Sequence, residues 1–149
     1  EGPTPLETGG GMKHALTVIG PAPFIAVSAD IVSDYDYARL PREPDGLAHL
    51  VMVPNPDFHP RGDFCLDGVR LNEEGVGKRL TFGNIGVYRP ELVAGEPASH
   101  FKLLPHFQRA MREKRLSGER FDGYWRNVGT RDQLAEVNAS HLKQSQNSS

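Results

Sequence analysis

An acidic side chain set just past a short apolar run is the first feature of this chain that could do chemistry. Phe24-Ile25-Ala26-Val27 is apolar throughout, Ser28 and Ala29 are small, and Asp30 stands next. Such a run predicts a strand buried on both faces, as in a parallel sheet covered by helices. In open α/β sheets ligands gather beyond the carboxyl ends of the strands, so a carboxylate there is placed to hold a metal ion or a ligand. Asp30 and Asp34 are equally suited to cap a short helix in the segment that follows, and spacing alone leaves both readings open. A second candidate is Asn127, which a short strand through Tyr124-Trp125-Arg126 delivers to a turn. Thr130 with Gln133 then forms a capping box for a helix carrying Leu134, Val137 and Leu142. A third is the loop Glu7-Thr8-Gly9-Gly10-Gly11, which feeds Met12, Ala15, Leu16 and Ile19 at helical spacing before Gly20-Pro21. Three glycines before a helix let backbone N–H groups approach an anion or a nucleobase, although a flexible connector needs no more than this.

The elements that must position these residues follow from periodicity. A second buried strand is expected over Ala48–Val53, stopped by Pro54-Asn55-Pro56. Phe64, Leu66, Val69 and Leu71 alternate in part, which suits a surface hairpin within residues 60–77. Leu80-Thr81-Phe82 with Ile85, Val87 and Tyr88 predicts a third strand, interrupted at Asn84 and Gly86, where a bulge or a close approach to a ligand is expected. Phe101, Leu104, Phe107, Ala110 and Met111 recur at helical spacing opposite Arg109, Arg112 and Glu113, giving an amphipathic helix ending near Leu116-Ser117-Gly118. Alternating strands and helices imply an α/β domain on a mixed, mainly parallel sheet. The domain is expected over residues 1–142, with a polar, disordered tail over 143–149.

Composition narrows the function. Seventeen basic and 19 acidic side chains in 149 residues leave a net charge of −2, and no basic run interleaved with aromatics offers a groove for nucleic acid. No apolar run reaches membrane-spanning length. The single cysteine, Cys65, excludes an internal disulfide framework and fits the reducing cytoplasm, and it reads as a packing residue. No pair among His49, His59, His100 and His106 has zinc-site spacing. Lys102 reads as a solvated helix residue.

Leu6-Glu7-Thr8-Gly9-Gly10-Gly11, the stretch from Pro23 through Asp30 to Ile31, Arg61-Gly62-Asp63-Phe64, Asn84-Ile85-Gly86-Val87-Tyr88-Arg89-Pro90-Glu91 and Trp125-Arg126-Asn127-Val128-Gly129-Thr130 together resemble the ordered motifs of bacterial sugar-1-phosphate nucleotidyltransferases. The similarity is greatest to the branch that uridylylates N-acetylmuramate 1-phosphate in peptidoglycan recycling. That resemblance implies a Rossmann-like, glycosyltransferase-A-like domain incomplete at its N-terminus, because the family's opening glycine-rich segment has no counterpart here. It implies transfer of a nucleoside monophosphate from a nucleoside triphosphate, with UTP expected, to an amino-sugar 1-phosphate, with release of pyrophosphate. Guanylyl transfer to mannose 1-phosphate, thymidylyl transfer to glucose 1-phosphate and a catalytically silent homologue are the alternatives. It assigns Mg²⁺ to Asp30, as catalytic ligand, and to Asn127, where the family usually has Asp. Glu7, Thr8, Gly9, Gly10 and Gly11 take the nucleotide. Ser28, where relatives often have Asn, takes the sugar phosphate with Asp63 and Asn84.

Overall fold

The computed structural model describes residues 20–94 and 102–147. The glycine loop Glu7 to Gly11 and the helix expected after it lie outside the described residues. Six strands form one sheet: β1 (Phe24–Val27), β3 (Ala48–Val53), β4 (Phe64–Asp67), β5 (Arg70–Asn72), β6 (Lys78–Tyr88) and β7 (Leu116–Arg120). Their order is β1-β6-β3-β7-β5-β4, with β4 also paired to the start of β6. A separate two-stranded ribbon joins β2 (Ile31–Ser33) to β8 (Trp125–Asn127). Two helices complete the described architecture, α1 (Leu104–Arg112) and α2 (Arg131–Asn147). The latter continues past the expected end at Leu142, and Ser148 and Ser149 lie outside the described residues.

The sheet is mixed, as expected, but its predominantly parallel character needs correcting. Among the described residues β3 and β7 form the parallel ladder, and the other pairings are antiparallel. The cause is local. Gly68, at a φ of 61°, closes the β4–β5 hairpin, and the long β6 returns antiparallel to β1, β3 and β4. Only the passage through α1, which carries the chain from β6 across to β7, supplies a parallel partner for β3.

Both faces of the sheet are covered, and β3 is buried on both sides. Ala48, Leu50 and Met52 face α1, packing with Leu80, Phe82, Tyr88, Phe107 and Met111. The Phe107 ring meets Phe64 and Phe82 edge-on and stacks against Tyr88. Val51 and Val53 face the other way, toward Ile85, Val87, Tyr35, Phe121 and Trp125. By contrast β1, expected to be covered on both faces, is an edge strand among the described residues. Phe24 enters the core, whereas Ile25 and Val27 on the opposite face are 51% and 41% exposed. A four-residue apolar run does not distinguish a central strand from an edge strand with one open face.

Helix α1 ends earlier than periodicity indicates. Lys114 takes a left-handed conformation (φ 59°), its N–H donates to the Met111 carbonyl, and the Arg115 N–H reaches back to the Ala110 carbonyl at 2.7 Å. This Schellman arrangement stops the helix and turns the chain directly into β7. At the entry to the parallel pair, the Leu47 N–H donates to the Arg115 carbonyl at 2.7 Å, and a Cβ on Gly46 would stand 2.1 Å from that same oxygen. Gly46→Ala must therefore force β3 and β7 apart. It is expected to cost about 2–3 kcal/mol, the upper part of the range for overpacking, read as a lower urea midpoint at unchanged slope.

Candidate functional site

The β2–β8 ribbon lies against the second face of the sheet and is what brings the site together. Its register pairs Ile31 with Asn127 and Ser33 with Trp125. Asp30 is therefore set beside Val128, whose N–H donates to the Asp30 carbonyl at 2.7 Å. A strand, not a helix, follows Asp30, so the capping alternative is excluded. The residue that does cap a helical turn here is Asp36, which accepts from the Ala38 N–H at 3.0 Å.

The side chains of Asp30 and Asn127 converge. A Cβ on Gly129 would stand 3.1 Å from Asn127 Oδ1 and 3.3 Å from Asp30 Oδ2, so both oxygens border one small space that a side chain at 129 would fill. Gly129 is solvent-exposed, and Asp30 and Asn127 are half-buried, which leaves that space open on one side. The Ser28 hydroxyl donates to Asp30 Oδ1 at 2.5 Å and so orients the carboxylate. Asn127 Oδ1 accepts from the Gly129 N–H at 2.8 Å, an Asx turn that leaves its second lone pair available. The fourth member arrives from β6. Asn84 sits in the bulge predicted at that position, at a φ of 61°, where the β3 register shifts between Leu50 and Met52. Its carbonyl accepts from the Ser28 N–H at 3.1 Å, and its Oδ1 is buried with no hydrogen-bond partner among the described residues.

Three of the sequence-derived candidates, Ser28, Asp30 and Asn127, thus meet through their side chains, and Asn84 joins them through its backbone carbonyl. Asp63 does not join them. One carboxylate oxygen accepts from the Phe82 N–H at 2.8 Å, and the other faces His59 Nε2 at 2.9 Å. This anchors residues 54–63 onto β6. Asp63 borders a separate cleft of about 660 Å³ with Glu73, Arg79 and Gln108. On the opposite flank, Asn127 borders a cleft of about 480 Å³ with Asp57, Phe58, Arg126 and Glu136.

Two contributions were not read from the sequence. Trp125, quoted only as part of a motif, is buried and donates its indole N–H to the Gly83 carbonyl at 2.9 Å, pinning the ribbon to the β6 bulge. Gly129 likewise stood only within that motif, and its lack of a side chain is what leaves the Asp30–Asn127 space open. The capping box is present, with reciprocal Thr130–Gln133 bonds of 3.1 Å starting α2.

The two side chains that converge offer oxygen alone, the Asp30 carboxylate and the Asn127 amide oxygen. Oxygen donors suit Mg²⁺, which commonly takes one or two protein ligands and completes its octahedron with phosphates and water. Among the described residues no group of three or more His, Cys, Asp or Glu converges as a metal cage. A site that depends on substrate phosphates does not require one.

A mixed sheet with the ribbon laid across it defines the nucleotidyltransferase fold. A UTP-bound UGPase from Acinetobacter baumannii superimposes with a TM-score of 0.66 at 12% identity, over 94% of this chain and 57% of that one. A UDP-glucose pyrophosphorylase complexed with UDP-glucose gives 0.65 at 11% identity, covering 93% and 63%, and HddC from Yersinia pseudotuberculosis 0.61 at 19%, covering 91% and 62%.

Sequence comparison narrows the class. The chain is 40% identical over 142 residues to the N-acetylmuramate alpha-1-phosphate uridylyltransferase of Neisseria meningitidis serogroup B, over 90% of this chain and 62% of the relative. It is 31% identical over 137 residues to the enzyme of the same name from Caulobacter vibrioides, over 83% and 57%. The family resemblance carried by the motifs therefore extends across nearly the whole chain, which spans about 60% of the length of these curated relatives and matches their carboxyl-terminal portion. No protein-family profile matches. Among the described residues no helix is long and apolar enough to cross a membrane.

Proposed function

We propose that the protein carrying this chain is a sugar-1-phosphate nucleotidyltransferase that transfers UMP from UTP to an amino-sugar 1-phosphate, with N-acetylmuramate 1-phosphate as the favoured acceptor. The convergence of Asp30 and Asn127 oxygens over Gly129 carries the reading, and the names of the two sequence relatives supply the base and the sugar. In the reaction an oxygen of the sugar phosphate forms a bond to the α-phosphorus of the triphosphate. The bond from that phosphorus to the bridging β-oxygen breaks, and pyrophosphate leaves with its electron pair. Both reactants are anions, so the protein's task is to bring them into line against their repulsion. Asp30 and Asn127 would hold Mg²⁺, which when bound offsets phosphate charge. Ser28 fixes the Asp30 carboxylate by its hydrogen bond. Asn84 braces Ser28 from β6, its backbone carbonyl accepting from the Ser28 N–H. The bare Gly129 leaves room for phosphate oxygens.

Pyrophosphate release by the protein that carries this chain, measured for UTP, GTP and dTTP against N-acetylmuramate, N-acetylglucosamine, mannose and glucose 1-phosphates, tests the reading. The UTP and N-acetylmuramate 1-phosphate pair is expected to be fastest, and no release with any pair would refute it.

The neutral Asn127, already engaged by the Gly129 N–H, favours a second reading, a silent homologue of the same fold. Asn127→Asp separates the two. In an active parent, the added charge is expected to lower the Mg²⁺ concentration for half-maximal rate by about tenfold. Activity present only in the Asp variant would establish silence.

A further inference from the structure

Away from the converging oxygens, the second face of the sheet carries a charged knot that none of the preceding chemistry uses. Its centre is Glu119 on β7, beside Val51 of β3 in the parallel ladder. One carboxylate oxygen accepts from the Tyr35 hydroxyl and lies 3.4 Å from His49 Nε2, and the other accepts from Arg39 Nη2 at 3.2 Å. Nδ1 of His49 meets Ser117 Oγ at 2.9 Å, which ties the knot across both strands. Tyr35 is 3% exposed and packs edge-on against Phe121, and the Arg39 guanidinium lies over the Tyr35 ring. Burial and then the Glu119 bond push the Tyr35 phenol up, so it stays a donor.

The chain segment held by this knot leads straight from β2. That strand is three residues long and, among the described residues, pairs with β8 alone, and a two-stranded ribbon is marginally stable at best in water. Strand β8 has its own tether to the sheet, through the Trp125 indole. The polar contacts of Ser33 and Asp34 reach Tyr124, immediately before β8, so they close the ribbon on itself and do not attach it to the sheet. Before β2 the Ser28 N–H holds the chain to the Asn84 carbonyl of β6; after β2, what ties it to the central strands by polar contact, among the described residues, is Glu119 acting on Tyr35 and Arg39.

We infer that Glu119 is a positioning residue for the Asp30–Asn127 oxygen pair, holding residues 35–39 against β7 so that β2 keeps Asp30 facing Asn127. The inference rests on the reading of that pair as the cation site. Its consequence is that loss of the knot weakens cation binding although neither cation ligand is altered.

The test uses the protein that carries this chain, with Mn²⁺ as the probe and its paramagnetic resonance signal as the readout of free ion. Glu119→Ala, and Tyr35→Phe as the milder variant that keeps the ring packed, are expected to raise the Mn²⁺ dissociation constant roughly tenfold, the low end for residues that orient a ligand from behind. Glu119→Gln, which retains acceptor and donor atoms, is expected to recover part of the loss. Leu71→Val, on the opposite face of the sheet, is expected to lower thermal stability without moving the constant. A constant within twofold of the parent in both Glu119→Ala and Tyr35→Phe would overturn the inference and leave the knot a purely structural one. Should the parent bind Mn²⁺ no better than its Asp30→Ala variant, the cation-site reading falls, and the positioning role falls with it.

Discussion

Asp30→Ala is expected to slow pyrophosphate release by on the order of 10³, equivalent to about 4 kcal/mol of transition-state stabilisation. Ser28 and Asn127, whose side chains meet that of Asp30, are neutral, so Asp30 brings the formal charge of this converging group toward a divalent cation. In a site with two carboxylates the second would retain part of the affinity. Among the described residues that converge here, no second carboxylate remains. Asp30→Asn sharpens the experiment, because it preserves the shape and an acceptor for the Ser28 hydroxyl while removing the charge. It is expected to be nearly as severe as the alanine variant, with a thermal midpoint close to the parent's, since a half-buried carboxylate whose backbone carbonyl alone braces Val128 does little for the fold. More than a tenth of parental activity in Asp30→Asn would assign the residue an orienting role and move the catalytic charge elsewhere. Gly129→Ala approaches the same point from the other side. Its Cβ would enter the space between Asp30 Oδ2 and Asn127 Oδ1, so the two oxygens must yield by a few tenths of an ångström and the cation affinity is expected to fall with them.

How much of this was legible beforehand depended on where each signal was stored. Asp30 could be found because apolar patterning is local: a run of four, two small residues and an acid point to a strand end whatever lies across the sheet. The Thr130–Gln133 box and the Asn84 bulge are local in the same sense, and both are present where expected. Strand β7 could not be found this way. Leu-Ser-Gly-Glu-Arg has a single large apolar residue, yet Leu116 and Gly118 are buried because the parallel partner β3 and Leu71 of β5 close over them. The helix spacing that ends at Met111 hid the boundary as well, since a left-handed Lys114 carries no glycine signature. Strand β2 was missed for a related reason. Ile-Val-Ser is too short to show a period, and its extended form is imposed by pairing with residues 92 positions away in sequence at its nearest register pair. The site itself divides along the same line. Individual ligand candidates were visible, but their convergence over Gly129, the attachment through Trp125 and the Glu119 knot are properties of non-local pairing.

Trp125→Ala is expected to be the most damaging single change to stability, costing about 3–5 kcal/mol. The ring fills the centre of the second-face cluster among Val51, Val53, Ile85 and Phe121, and it is 7% exposed. Truncation leaves a cavity and also strands the buried Gly83 carbonyl, which loses its indole donor. Position 83 is committed to that contact: a Cβ there would stand 3.3 Å from the indole nitrogen and 3.1 Å from the Val51 carbonyl. Trp125→Phe separates packing from hydrogen bonding, since it keeps most of the apolar volume and removes the donor. Its cost is expected to be about 1–3 kcal/mol, the range for one orphaned buried acceptor, measured by urea unfolding. The two variants also report on the coupling between fold and site. Trp125 is two residues from Asn127 on a three-residue strand, so a ribbon released from Gly83 carries Asn127 with it. Cation affinity in Trp125→Phe is therefore expected to fall although its core stays filled, and an unchanged Mn²⁺ dissociation constant there would show that the β2–β8 pairing alone sets the oxygen pair.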